Sequence, residues 1–332
     1  MASELRVDPA SSLHFVINAA AGSSEANTRR EVIETVLQAE GRRGELHFCS
    51  PGELERVARE LAQQALLTRT AVIAVGGDGT LNTVAQAAHA TGCAMGVVPQ
   101  GTFNYFARTH GIPADPADAV RLLLHSVPTP VQVAGINEHV FLVNASVGLY
   151  PDLLEDREAY KARFGRSRWV AFVAAGATLL RAQRRLRLRI EVGGKVRDMR
   201  TLTLFVGNNR LQLQQLGAEP NDTMAGTPGD GSMAALVLRP IGTLSMIGLM
   251  LQGAMGMLGD AAGVESFEFE HLVVRPTLPQ GRNGMKVAFD GEVTMMRAPL
   301  EIRVLAKPLY LLRAPRNTAA VDAPPLAEGA SS

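Results

Sequence analysis

Two clusters of glycine and carboxylate residues carry the strongest chemical signal in this chain. The first is Gly76-Gly77-Asp78-Gly79-Thr80-Leu81-Asn82, which follows the apolar run Ala71–Val75 and opens a helical pattern. Glycines let the backbone take left-handed angles and let a ligand approach the main chain closely. A helix that starts at such a turn aims unpaired N–H groups and the positive end of its dipole at the ligand, a setting suited to phosphate. No Walker A lysine follows and the pattern is not G-x-G-x-x-G. A carboxylate there suits a divalent cation or a reacting hydroxyl. It equally suits an ordinary helix N-cap, and the motif alone leaves both readings of Asp78 open.

The second cluster is Phe289-Asp290-Gly291-Glu292-Val293, with two carboxylates flanking a glycine. Asp-Gly is a favoured hairpin turn pair, so a plain turn accounts for it as well as an acidic tip does. Two further loops point at phosphate. "VVPQGTFNYFARTHGIP" offers Gly101, Thr102 and Asn104 after an apolar strand, and "INAAAGSS" offers Asn18 and Gly22 after another. Small and hydrogen-bonding residues at three neighbouring strand ends fit a nucleotide lying across the C-terminal edge of a parallel sheet.

The elements that must position these residues are legible in the alternation of patterns. "LHFVIN", "GELHFCS", "AVIAV" and "AMGVVP" read as strands, separated by helical stretches. In the first helix Val32, Val36 and Ala39 form the expected apolar stripe, and Gly41 stops it. Strands alternating with helices predict a parallel sheet covered on both faces. After "VPTPV" at 127–131 the rhythm becomes a series of short alternating strands, including "HVFLVNASVG", "VRDMRTLTLFVGN" and "FEFEHLVVRP". Helical patterns interrupt this series around 157–180 and 241–258. The expected fold is an α/β N-terminal domain with a parallel sheet, followed by a β-rich antiparallel sandwich C-terminal domain. The expected limits are 1–13 disordered, 14–130 nucleotide-binding, 131–313 β-rich and 314–332 disordered, the last strand having the option of returning to the first domain.

Asn18 with Gly22, "GGDGTLN", "PQGTFNYFAR", "VNASVGLYPD" and "FDGE" occur in the order and approximate spacing of the diacylglycerol kinase catalytic-domain family, which the chain resembles over about 14–310. The family includes sphingosine and ceramide kinases and soluble bacterial lipid kinases. The resemblance implies ATP and Mg²⁺ as cofactors and a lipid hydroxyl as acceptor. It implies that the ATP phosphates lie against Gly76, Gly77, Asp78, Gly79, Thr80 and Asn82, with Asn18, Gly22, Gly101, Thr102 and Asn104 nearby. Ser50 stands where the family has a nucleotide-holding threonine. Asp78, Asp290 and Glu292 are the candidates for general base, with the Asp290–Glu292 pair favoured. Asp152 matches an aspartate near the acceptor head group, and Lys161 is placed to meet phosphate. "GTPGDGS" resembles a loop that holds a structural Mg²⁺, through the Asp230 carboxylate and the carbonyls of Thr227 and Ser232. The chain departs from the family at "NAAAGSS", at Tyr105 after Asn104 and at the glutamines of "VGNNRLQLQQLG", which bear on acceptor recognition. A kinase of a soluble acceptor resembling NAD kinases, and a non-catalytic nucleotide-binding regulator, are the alternatives.

Composition narrows the partners. The net charge of +1 excludes no local basic patch but predicts no polyanion such as nucleic acid as partner. Arg185, Arg187 and Arg189 alternate with apolar residues and line one strand face, suited to a solvated surface or to anionic head groups. Transient membrane contact, a cytoplasmic setting at the inner membrane face and a homodimer are expectations. Cys49 and Cys93 show no metal-ligand spacing, and the seven histidines show no spaced pair. Pro240–Gly259 is uncharged and about long enough to span a bilayer, but five glycines, a proline and Gln252 point to a buried or membrane-facing amphipathic helix instead. No secretory signal is evident at the N-terminus.

Overall fold

The computed structural model describes residues 5–19, 23–100, 104–148, 151, 186–208, 231–239, 264–277 and 284–315. In chain order the first elements are β1 (Leu13–Asn18), α1 (Ser23–Ala39), β2 (Gly44–Cys49), α2 (Leu54–Leu67), β3 (Ala71–Gly76), α3 (Asp78–Thr91), β4 (Ala94–Pro99), α4 (Tyr105–Thr109), α5 (Pro116–Leu124) and β5 (Val127–Val131). Then come β6 (Ala134–Ile136), β7 (His139–Phe141), β8 (Asn144–Gly148), β9 (Leu186–Val192), β10 (Lys195–Thr201), β11 (Thr203–Gly207) and β12 (Met233–Leu238). The remainder are β13 (Val264–Phe269), β14 (His271–Pro276), β15 (Gly284–Phe289), β16 (Glu292–Arg297), β17 (Leu300–Val304) and β18 (Leu309–Arg313).

The first sheet has the order β2-β1-β3-β4-β18-β5. Strands β2, β1, β3, β4 and β18 run parallel, and β5 lies antiparallel to β18. β3 and β4 are buried along their whole length, which their unbroken apolar sequences anticipate for strands covered on both faces. α2 presents Leu54, Ala58, Leu61, Ala62 and Ala65 to this core, and its small residues let it lie close to the sheet. α1 buries Ile33, Val36 and Leu37. Its apolar stripe is therefore rotated from the expected Val32–Val36–Ala39 line, because Leu37 seats over Gly44, where an added Cβ would lie 2.7 Å from Leu37 Cδ1. The prolines of "VPTPV" sit in β5, the edge strand, where a missing N–H leaves no ladder bond unmade. The chain leaves this sheet after β5 and returns to it as β18.

Between those crossings lie two antiparallel six-stranded sheets, β10-β9-β14-β17-β6-β7 and β13-β12-β11-β8-β15-β16. Their apolar faces meet in one core that includes Ile136, Phe141, Leu188, Ile190 and Leu300 from one sheet and Val147, Val206, Phe267, Val287 and Phe289 from the other. The sequence runs "HVFLVNASVG", "VRDMRTLTLFVGN" and "FEFEHLVVRP" each divide into two strands on opposite sheets, at Leu142–Val143, Leu202 and Glu270. Alternation continues through a corner because the chain passes from one layer to the other, so its apolar residues keep facing the same core. The arginines of β9 are exposed, and Arg189 pairs with Asp198 across the strand pair at 2.7 Å, so this face is solvated and internally matched.

The corner at Leu202 constrains Gly148. Its φ is +102°, and a Cβ there would lie 2.4 Å from the Leu202 carbonyl oxygen. Gly148→Ala is expected to destabilise the chain by at least ~2 kcal/mol through backbone strain plus this clash, read as a lowered midpoint in urea unfolding.

Candidate active site

The residues singled out in the sequence converge where α3 begins. Gly77 is the N-cap of α3 and Asp78 its first helical residue. Asp78 makes no capping bond, so the helix start does not use its side chain. Its Oδ1 is buried and has no hydrogen-bond partner, and burial raises its carboxyl above the ordinary range. This separates the two readings of Asp78: the cap is the Gly77 backbone, and the carboxylate remains available to a ligand. Gly76 is needed for a different reason. A Cβ there would lie 2.6 Å from Thr80 Oγ1, so only glycine lets Thr80 fold back over the strand end. Buried Thr80 then accepts a hydrogen bond from Asn18 Nδ2 at 3.3 Å, joining the ends of β1 and β3.

β15 and β16 are joined by the two-residue loop Asp290-Gly291, with φ of +46° and +88°. Positive φ at both positions is the hairpin geometry that Asp-Gly favours. The hairpin reading of FDGEV is thus correct, and the turn also reaches the α/β domain. Asp290 Oδ2 accepts from Asn82 Nδ2 at 2.7 Å and from the Leu142 N–H at 2.7 Å. Its Oδ1 accepts from the N–H groups of Val143 at 2.8 Å and Asn144 at 3.1 Å. Asn82, itself buried on α3, also donates to the Val140 carbonyl at 2.9 Å and accepts from Gln86 at 3.0 Å. Asp290 is 7% exposed, and all its bonds hold structure. The favoured Asp290–Glu292 pair therefore divides: Asp290 clasps the β-rich domain to α3, and Glu292 is the member whose carboxylate reaches the first turn of α3.

Glu292 reaches the first turn of α3. A Cβ added to Gly79 would lie 2.8 Å from Glu292 Oε1, so the carboxylate rests on the bare Cα of Gly79. Burial raises the Glu292 carboxyl as it does Asp78. Two carboxyl groups with raised pKa values thus lie at the first turn of α3, where the helix leaves N–H groups without intrahelical partners.

Other predicted positions behave differently. Ser50 lies at the right sheet edge, but its hydroxyl donates to Glu53 Oε2 at 2.6 Å in a local turn before α2. Asn104 takes a left-handed φ of +46° as the N-cap of α4. The Ser232 carbonyl accepts from Gln132 Nε2 at 3.2 Å. Gly22, Gly101, Thr102, Asp152, Lys161, Thr227 and Asp230 lie outside the described residues, as do the helical patterns at 157–180 and 241–258. Among the described residues no helix is long and apolar enough to cross a membrane.

Two features were missed in the sequence. Gly79 serves as the seat of Glu292, which no local signal announces. Gln100 donates its N–H to the Gly76 carbonyl at 2.9 Å and holds a buried side-chain oxygen with no partner beside the glycine turn. Its place just before Gly101-Thr102 was the available clue.

The clasp can be tested directly. In Asp290→Asn the amide nitrogen must face two of the four donors, which costs roughly 2–4 kcal/mol of stability. Burial pushes Asp290 up to about 6, against the pull of the Leu142, Val143, Asn82 and Asn144 donors. The folded state thus binds this proton at higher pH than the unfolded chain, and its titration stabilises the fold as pH falls. Urea unfolding is expected to show the gap between wild type and Asp290→Asn widening by ~1 kcal/mol as pH falls from about 7 to about 5.

Residues 12–136 match the family described as diacylglycerol kinase catalytic domain. A Pseudomonas aeruginosa protein named "Probable lipid kinase YegS-like" is 29% identical over 75% of this chain and 76% of its own length. A Klebsiella pneumoniae protein of the same name is 33% identical over 43% of this chain, and the chain spans about half (48%) of that relative. An uncharacterized Synechocystis protein is 24% identical over 92% of this chain and 71% of its own length. Two solved Bacillus anthracis structures share the fold, each covering 92% of this chain and 97% of its own. One has a TM-score of 0.68 at 21% identity; the other, named a diacylglycerol kinase, has 0.61 at 18%. The glycine turn and the start of α3 both lie inside residues 12–136, the stretch that matches the diacylglycerol kinase catalytic domain.

Proposed function

We propose that this chain is an ATP-dependent kinase that transfers the γ-phosphate to a hydroxyl of diacylglycerol or a related lipid. The observation that carries the reading is the contact of the Glu292 carboxylate with Gly79, beside the buried, unpaired oxygen of Asp78. Phosphoryl transfer needs mainly positioning and charge neutralisation. The α3 N-terminus and the Gly76–Asn82 turn supply seats for the phosphates, with Asn18 and Thr80 fixing the strand ends around them. Glu292 is the general base that takes the proton of the acceptor hydroxyl, and burial, which raises its pKa, makes it a stronger base than an exposed carboxylate. Asp78 offers a hard oxygen, and a Mg²⁺ held there would neutralise phosphate charge. Gly22, Gly101, Thr102 and Asn104 complete the nucleotide side of this proposal, and Asp152 and Lys161 the acceptor side. Transient contact with a membrane surface and a cytoplasmic location follow from a lipid acceptor.

Incubation with γ-labelled ATP and a mixed lipid extract in detergent is expected to place label in an organic-extractable lipid. Asp78→Asn and Glu292→Gln should each lower that transfer by about 10²-fold or more. Label confined to water-soluble product would refute the lipid assignment.

Gly79→Ala separates positioning from folding. Glycine to alanine in a helix normally stabilises by up to ~1 kcal/mol, so the melting temperature should hold or rise. The new methyl displaces Glu292, and transfer is expected to fall at least about tenfold.

A further inference from the structure

A second cluster of chemically competent side chains lies at the other end of the parallel sheet. His14 is near the start of β1, and Glu45 and His47 are on the adjacent edge strand β2. The parallel register pairs His14 with Glu45 and Val16 with His47, so all three side chains fall on one face of the sheet. Four strand residues, roughly 13 Å at ~3.3 Å each, separate His14 from Asn18 and the nucleotide edge.

The distances are informative. Glu45 Oε2 lies 3.4 Å from His14 Nδ1 and 3.8 Å from His47 Nε2, and the three donor atoms all fall within 4.8 Å of one another. These separations exceed a good hydrogen bond. They approach the edge of a tetrahedron with ~2.0 Å metal–ligand bonds, which is about 3.3 Å. His14 Nδ1 and His47 Nε2 are also buried without a hydrogen-bond partner. An imidazole nitrogen shut away from water and left unpaired is costly in a native protein, unless a ligand completes it. The Glu45 side chain is 50% exposed and that of His47 33%, so the group opens to solvent on one side while His14, at 3%, forms its floor.

We propose that His14 Nδ1, His47 Nε2 and the Glu45 carboxylate form a binding site for a divalent transition-metal ion of the zinc type, with water as the fourth ligand. Two imidazoles and one carboxylate suit Zn²⁺, whereas Mg²⁺ takes oxygen ligands almost alone. The site is separate from the kinase centre and does not depend on the kinase assignment. Its structural effect is to staple the edge strand β2 to β1, so the metal stabilises the folded chain by mass action.

The test is a titration of Zn²⁺ into the purified full-length chain against a chromogenic chelator, with thermal unfolding in parallel. The expected result is one Zn²⁺ per chain and a melting temperature raised by Zn²⁺ but not by Mg²⁺. His47→Ala and Glu45→Gln alter partly exposed side chains, so both are expected to fold. Each should weaken Zn²⁺ binding at least about tenfold and abolish the thermal shift, whereas His125→Ala, at the end of α5, should leave both unchanged. Absence of stoichiometric Zn²⁺ in the wild type, or equal affinity in the wild type and both site variants, would overturn the proposal.

Discussion

One buried carboxylate joins the two halves of this molecule. Asp290 sits at the tip of a hairpin, shut away from solvent, and is tolerated there because four donors converge on its two oxygens. Three of those donors are main-chain amides at the corner where β7 passes to β8, and the fourth is Asn82 on α3. The corner leaves the N–H groups of Leu142, Val143 and Asn144 in need of acceptors, and the hairpin supplies them. The same bonds fix the height of the hairpin above the α3 N-terminus, which sets where Glu292 lands. A charge that would be ruinous alone becomes the register mark between domains. The polar core extends beyond it: Asn208 donates from its side chain to the carbonyls of Leu142 and Gln132, tying β11 into the same corner.

The glycine turn works by subtraction of atoms. Gly76 leaves room for Thr80, and Gly79 leaves room for Glu292. Both contacts exist because a side chain is missing, which brings the Thr80 hydroxyl and the Glu292 carboxylate close to the backbone. Asp78 lies between these two glycines in sequence, on the first residue of the helix, and its Oδ1 is buried without a hydrogen-bond partner.

Much of this was readable from the residues. The apolar runs of β3 and β4 and the small-residue face of α2 follow from simple periodicity, and the two antiparallel sheets follow from alternation. Corners were not readable. Thr201-Leu202-Thr203 continues the alternating pattern while the chain changes sheets, because both layers share one core and the polarity code does not register the switch. The division of labour between Asp290 and Glu292 was also hidden, since it depends on amides 146 to 148 residues away in sequence. The His14–Glu45–His47 group was invisible for the same reason: strand register, not local spacing, brings its members together.

The route of β18 has a consequence for how the molecule is born. Among the described residues β5 pairs with β18 alone, and β18 also covers the side of β4 away from β3. A nascent chain that has emerged only as far as Val131 therefore carries β1 to β4 with an open flank and β5 with nothing to pair with. The whole sandwich must leave the ribosome before residues 309–313 arrive to close that flank. Topologically the sandwich is an insertion within the α/β domain, so the first sheet is completed last although most of it is translated first, and the edge of β4 stays open to stray strand pairing in the interval.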